Sequence, residues 1–556
     1  MSQEEWWRTA TVYQIYPKSF CDSNNKGTGD IQGIISKLDY LKMLGVDAIW
    51  LTPVYQSPMI DNGYDIADYY SINPDFGTMS DFDDLLEEAK SRGIRLIMDI
   101  VVNHTSTQHH WFQSALGNKD SEYRDYYIWK DPVNGKEPTN WQSKFGGNAW
   151  EMDELTGQYY LHLFAKEQAD LNWENPKVRQ EVKDIISFWA EKGVDGFRLD
   201  VINLISKQQD FLDDEKGDGR CFYTDGPRVH EYLQEISQDV FQKYGSVTVG
   251  EMSSTTLEHC QQYSSSDGME LSMVFNFHHL KADYPNGQKW TKAPFDFIQL
   301  KSIFNHWQTG LNGKGWGALF WCNHDQPRVV SRLGNDQEYR ELSAKMLAST
   351  IHMMQGTPYI YQGEEIGMTN PHYTSIDQYR DLESTNMYDI MVNQDKSVSH
   401  DEMIEILDQK SRDNSRTPMQ WDDSLYAGFS KGVPWLSVAN NYKEINAKQV
   451  IEDSNSVFYF YQKLIKLRKD IDVITSGDYT DLFPEHKELF CYQRQNETHR
   501  LIAIHNYYDN EVGICLDLTG KEARYILSNY EDVEGSIPQN QMVLRPYECR
   551  VVLITK

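Results

Sequence analysis

A chain of 556 residues exceeds one ordinary domain, and its 40% hydrophobic content, spread along the whole length, excludes a disordered or fibrous polymer. The formal net charge of −30 excludes nucleic acid and anionic membrane surfaces as partners, because polyanion binding needs dense Lys and Arg to displace counterions. An anionic small substrate would therefore need a local cluster of basic side chains.

The N-terminus, MSQEEWWR, lacks the basic stretch and apolar run of a secretory signal, and no apolar run approaches the roughly 20 residues of a membrane span. A cytoplasmic protein is expected. In chain order, β-rich runs at 12–16, 48–52, 95–101, 196–201 and 247–252 alternate with amphipathic helices. After the first run, Ile34, Leu38 and Leu41 lie on one helical face that Gly45 closes. After the second, Phe82, Leu85, Leu86 and Ala89 form a stripe, with Ser80 and Asp83 as the expected capping pair and Gly93 beyond the last turn. The stretch from His104 to Asn172, rich in Trp, Tyr, Gly and Asn, is too long for a connecting loop and reads as an inserted subdomain, 105–173. Pro176 suits the first turn of a helix carrying Val178, Val182, Ile185, Ile186 and Trp189 up to Gly193. Further runs at 273–277, 318–323 and 358–362 bring the strands to eight, which predicts an α/β fold of the (β/α)8 TIM-barrel type built from 1–104 and 174–475. Beyond about residue 475 strands alternate without helices, at 489–494, 501–507 and 549–554, predicting a C-terminal antiparallel β-sandwich over 476–556.

Seven scattered cysteines, Cys21, Cys221, Cys260, Cys322, Cys491, Cys515 and Cys549, read as reduced packing residues. The pairs His109-His110 and His278-His279 have no accompanying Cys or carboxylate cluster, so no metal and no cofactor is expected. The chemistry lies in polar groups at strand ends: Asp99, Asn103 and His104, then Arg198 and Asp200, then Glu251, then His324 and Asp325. One such acid is commonly a structural hydrogen-bond acceptor, but the set together is more than packing requires. Glycoside hydrolysis needs one carboxylate at the anomeric carbon and another, with a raised pKa, to protonate the leaving oxygen. Asp200 and Glu251, on neighbouring strands, suit those roles.

The segments DIVVNH (99–104), QADLN (168–172), GFRLD (196–200), the Glu251 strand end and NHDQPR (323–328) resemble, in order and spacing, the α-amylase superfamily of retaining glycosidases. The resemblance implies a barrel with a domain inserted after the third strand and a C-terminal β domain. It implies Asp200 as nucleophile, Glu251 as acid/base and Asp325 as the carboxylate that holds and distorts the sugar. His104, Arg198, His324 and Gln168 are implied contacts of that glucose. The NGYD segment (62–65) resembles the part that holds the non-reducing-end glucose through Tyr64 and Asp65, with Arg412 of KSRDNSRTP pairing with Asp65. Such a closed pocket favours removal of one terminal glucose.

A narrower resemblance, to the trehalose-6-phosphate hydrolase subgroup, rests on VYQIYPKSF (12–20), QADLNWENP (168–176), FYTDGPR (222–228), VGEMSSTTLEHC (249–260) and FNFHHLKADYPNGQKW (275–290). It implies a sugar phosphate as partner, cleaved at its α,α-1,1 bond to glucose and glucose 6-phosphate, by an enzyme expected to be a monomer. Lys281 and Lys289 are the expected phosphate ligands, with Arg228 or the inserted subdomain as alternative positions. Two other readings stay open: a neutral-substrate α-glucosidase acting on α-1,6 bonds, and a glycosidase-like binding protein without catalysis. The complete Asp200, Glu251 and Asp325 set opposes the second. In oligo-1,6-glucosidases the loop matching 22–30 supplies oxygen ligands to a divalent cation. Lys26 stands at one such position here and is expected to replace the ion by pairing with Asp22 and Asp30.

Overall fold

Strands buried along almost their whole length must be covered on both faces, and in this chain they close into a barrel. The computed structural model describes residues 5–533, 535, 537 and 541–556. Its central sheet contains β1 (Val12–Ile15), β2 (Ala48–Leu51), β3 (Arg95–Ile100), β4 (Gly196–Leu199), β5 (Val247–Met252), β6 (Met273–Asn276), β7 (Ala318–Leu319) and β8 (Thr357–Tyr361). The hydrogen-bonded order is β6-β5-β4-β3-β2-β1-β8-β7, all parallel, and a parallel bridge between Val274 and Gly317 joins the two outer strands. The (β/α)8 barrel expected from the alternation of strands and helices is the fold.

The period of two along each strand sorts side chains between two cores. Ala48 and Trp50 pack inside the barrel with Phe275 and Tyr359, whereas Ile49 and Leu51 face the helices outside. The helices start and stop on local stereochemistry. Pro176 occupies the first turn after the Asn175 cap, and Gly45 (φ 94°) and Gly193 (φ 107°) terminate their helices in the left-handed region. The expected Ser80–Asp83 capping pair is corrected to a box of Thr78 and Asp81 at the start of Met79–Ser91. Ser80 already lies inside that helix, so it cannot adopt the extended backbone that a cap requires. The segment expected as one helix before Gly45 is divided into Ile31–Ile35 and Leu38–Leu44.

After β3, His104–Ser106 pairs antiparallel with Gln168–Asp170, which ties both ends of the insertion to the barrel rim. Between them Trp129–Lys130, Gln158–Leu161 and Trp150–Asp153 form a three-stranded sheet. Trp141 and Trp150 pack there against Phe211 and Tyr223 from the segment after β4. At the C-terminus a five-stranded antiparallel sheet (Asp478–Asp481, Leu489–Gln495, His499–Asn506, Cys549–Thr555, Glu522–Ser528) faces the pair Val512–Cys515 and Gln541–Leu544 across a core that includes Ile502, Ile504, Ile514 and Leu544. The sandwich meets the barrel through buried polar contacts, the Tyr492 hydroxyl donating to the Thr350 carbonyl at 2.6 Å.

Two expectations about single residues are overturned. Cys221 and Cys515 are exposed rather than packed. Lys26 is also exposed and forms no ion pair among the described residues. The oxygens of Asp22 are occupied instead by the backbone N–H groups of Asn24, Asn25 and Gly27 and by the Ser430 hydroxyl, and those of Asp30 by Ser23 and Gly33. Short donors from the loop itself outcompete a long, hydrated ammonium. Among the described residues no helix is long and apolar enough to cross a membrane.

Candidate active site

The alternation along GFRLD puts Arg198 and Asp200 on one face at the C-terminal end of β4, and parallel pairing sets Arg198 beside Asp99 of β3. The buried Arg198 guanidinium donates to Asp99 Oδ1 at 2.8 Å, to Asp200 Oδ1 at 2.7 Å and to Glu251 of β5. One cation thus holds three carboxylates. Asp99 is further occupied by the Tyr64 hydroxyl (2.9 Å) and Trp50 Nε1 (3.2 Å), so that of these three acids Asp200 and Glu251 face the cavity.

Burial raises both. For Glu251 the loss of solvent, with Asp200 and Asp325 adding to it, outweighs Arg198 and lifts the pKa from the ordinary 4.5 to about 8. For Asp200 burial, with Asp99 adding to it, outweighs Arg198 and lifts the pKa from the ordinary 3.8 to about 7. Of the two, Glu251 therefore keeps its proton to the higher pH. Both carboxyls accept from the one Arg198 guanidinium, which holds them side by side at the mouth of the barrel.

Asp325 follows β7 and is held differently. Burial alone would raise it, but His324, Arg412 and Arg416 outweigh burial and keep it well below the carboxylate range. His324 itself is pushed down to about 3, chiefly by burial, so near neutral pH the two arginines supply the positive charge. They donate to Asp325 Oδ1 at 3.3 Å and 2.7 Å respectively. His324 stacks on Tyr64, with ring centroids 5.2 Å apart, and bonds Gln14 at 2.7 Å. His104 contacts the Tyr64 carbonyl at 3.0 Å, and burial lowers its pKa.

These groups meet in a cavity of about 590 Å³. Of the residues singled out in the sequence, Tyr64, His104, Asp200, Glu251 and Asp325 line it, as do Arg412, Lys281 and Lys289. Arg198, His324 and Gln168 stand behind this lining, Gln168 being fully buried and bonded to Asp61 and the Tyr64 carbonyl. The expected Asp65–Arg412 pair is absent. Asp65 accepts from Ser57 and from the backbone of Ile60 and Asp61, bracing its own turn. Arg412 instead reaches Asp61 (3.3 Å) and Asp381 (2.6 Å). Asp61 lies one residue before the NGYD motif and faces the cavity; burial, opposed by Arg412 and Arg416, raises it to about 6.

The two lysines after β6 differ. Lys281 has no carboxylate partner among the described residues and is lowered by burial and then by Arg220. Lys289 forms an ion pair with Glu383 at 2.6 Å. Arg228, the alternative position, is engaged by Glu174 and Glu231 and lies outside the cavity. Lys144, from the inserted subdomain, and Arg220 also line it and were not named from the sequence. Lys144 sits in an irregular turn and Arg220 at the start of a four-residue helix, both too short for a periodicity that would mark a side chain's direction.

The sequence pattern of the alpha-amylase catalytic domain matches residues 14–477, which takes in the barrel from the middle of β1 onward and all these carboxylates. The chain belongs to the alpha-amylase family. Among its relatives, the trehalose-6-phosphate hydrolase of Bacillus subtilis (strain 168) is 59% identical, the match covering 100% of this chain and 99% of that protein. The oligo-1,6-glucosidase of Parageobacillus thermoglucosidasius is 52% identical over 99% of each. The crystal structure of Bacillus licheniformis trehalose-6-phosphate hydrolase (TreA) superposes with a TM-score of 0.95 at 57% identity, each chain being covered completely. This alpha-amylase family chain is accordingly a glycosidase.

Proposed function

We propose that this glycosidase acts on α,α-trehalose 6-phosphate with retention, releasing glucose and glucose 6-phosphate. Asp200 attacks the anomeric carbon as Glu251 donates its proton to the leaving oxygen, and Glu251 then removes a proton from the water that releases glucose. Asp325, Asp61 and Arg412 hold the glucose hydroxyls, with Tyr64 and His104 beside them. Arg198, and His324 behind Asp325, keep these groups aligned. The observation that carries the phosphorylated substrate is the unpaired Lys281 at the cavity of a chain whose charge is −30. An anion would otherwise be repelled from such a surface. The relatives named trehalose-6-phosphate hydrolase support the same reading. Those named oligo-1,6-glucosidase, at 52% and 50% identity, favour α-1,6 bonds as the second reading.

Side-by-side assay of trehalose 6-phosphate, trehalose and isomaltose decides between them. Trehalose 6-phosphate is expected to have a kcat/KM at least about tenfold above either neutral sugar, since a charge-assisted hydrogen bond contributes roughly 1.5–3 kcal/mol. Isomaltose as the best substrate would sink the proposal. Release of a chromophore from an aryl α-glucoside separates both from a non-catalytic sugar-binding protein.

Both lysines have consequences for phosphate binding. Replacing Lys281 by Ala removes a cation from the cavity, whereas Lys289→Ala exposes the Glu383 carboxylate that it neutralises. The double variant is expected to raise KM for trehalose 6-phosphate at least about tenfold more than KM for an aryl glucoside, with the gap narrowing in added salt. Equal changes for both substrates would move the phosphate elsewhere. A sugar phosphate does not cross a membrane unaided, which argues for a cytoplasmic enzyme, and we assign it as a monomer divided into a barrel (1–104 and 174–475), an inserted subdomain (105–173) and a C-terminal sandwich (476–556).

A further inference from the structure

Three basic side chains reach the cavity from separate segments: Lys144 from the inserted subdomain, Arg220 at the start of the short helix Arg220–Tyr223, and Lys281 at the end of the 3-10 helix His278–Lys281. Lys144 Nζ donates to the Ser253 hydroxyl at 3.1 Å, and Ser253 stands two residues beyond Glu251. The cluster therefore adjoins the carboxyl that protonates the leaving oxygen. It lies apart from Asp61, Asp325 and Arg412, which share ion pairs on the side that holds the terminal glucose.

Buried or half-buried cations are ordinarily matched by carboxylates. Lys144 and Lys281, both half-buried, have no acidic partner among the described residues, and the exposed Arg220 has only Asp218, at 3.5 Å on its own loop. The three instead act on one another: burial, then Arg220 and Lys281, depress Lys144 to about 7. Self-repelling positive charge in an otherwise acidic protein is relieved by an anion with several acceptor oxygens. A phosphate monoester offers three, enough for the planar fork of an arginine together with two ammonium groups.

We propose that Lys144 and Arg220 join Lys281 in a three-point clamp on the phosphate of the substrate's leaving half, a role that rests on the phosphorylated-substrate reading above. The clamp draws one ligand from the inserted subdomain, one from the segment after β4 and one from the segment after β6, so phosphate binding pins three independent loops around the scissile bond. Arrival of the dianion also favours the charged form of Lys144, which Arg220 and Lys281 oppose and Glu251 and Asp218 support.

The test uses glucose 6-phosphate and glucose as inhibitors of aryl α-glucoside hydrolysis by the full-length enzyme and by Lys144→Met, Lys144→Arg and Arg220→Gln. In Lys144→Met and Arg220→Gln the inhibition constant for glucose 6-phosphate is expected to rise at least about tenfold more than that for glucose. The kcat/KM for trehalose 6-phosphate should fall in parallel, mainly through KM. Lys144→Arg, which keeps the charge, should recover most of the loss. Equal shifts for glucose and glucose 6-phosphate, or no shift for either, would overturn the clamp. If the wild type prefers trehalose 6-phosphate while the variants keep tight glucose 6-phosphate inhibition, the clamp alone fails. If the wild type prefers isomaltose, the substrate reading fails first.

Discussion

Asp200→Asn is expected to lower kcat/KM by at least about a thousandfold for every α-glucoside, phosphorylated or not, because an amide cannot form the glycosyl ester through which retention proceeds. The change is nearly isosteric. The Asn side-chain oxygen can still accept from Arg198, which also keeps Asp99 and Glu251, so no buried cation is left unpaired. The melting temperature should accordingly move by only a few degrees, against the steep loss expected when a buried ion pair loses a partner outright. Activity within tenfold of wild type, in protein free of wild-type contamination, would remove Asp200 from the nucleophile's role. Loss of activity together with loss of the folded state would leave that role without support from this variant, and thermal denaturation alongside the kinetics distinguishes the two results.

Glu251→Gln should behave differently, and the difference identifies the acid. A glucose 6-phosphate leaving group needs protonation as its bond breaks, whereas an activated aryloxide departs without it. The expected loss in glucosylation is on the order of 10²–10⁴ for trehalose 6-phosphate and far smaller for the aryl substrate, compared in single-turnover experiments. The pH profile supplies a second readout. Burial lifts Glu251 to about 8, so the proton it must donate is present below that pH and is lost as pH rises through it. Wild-type kcat/KM should therefore decline on the alkaline side near pH 8, and Glu251→Gln, which has no proton to lose, should lack that limb. Equal losses for natural and activated substrates, with the alkaline limb intact, would assign the acid to another group.

The sequence by itself determined the barrel and the meeting of Asp200 and Glu251 at one cavity, and it did so through short-range rules. Largely apolar strands alternating with amphipathic helices admit few arrangements other than a closed parallel sheet. The period of two then forces Arg198 and Asp200 of one pentapeptide onto the same face, beside Asp99 and Glu251 on the flanking strands. Helix ends were legible where a single residue decides them, as at Gly45, Pro176 and Gly193. The Thr78–Asp81 box was misplaced by two residues because Thr78 and Ser80 both satisfy the composition, and only backbone conformation tells a cap from a first-turn residue.

Tertiary structure decided the pairings between distant loops. Arg412 and Asp61 are 351 positions apart, and which of the nearby acids Arg412 meets depends on Asp65 being consumed by the backbone of its own turn. Lys26 was misjudged for the same reason, since local N–H donors had already saturated Asp22 and Asp30. Lys289 and Lys281 look alike as residues of one loop, yet Glu383 from another segment neutralises the first and leaves the second free. Lys144 and Arg220 carried no signal at all, because side-chain direction on a turn or a single helical turn is set by what packs beneath it rather than by spacing along the chain. Local stereochemistry is written residue by residue, whereas competition among many charged partners for a few positions is settled only once the barrel brings their loops together.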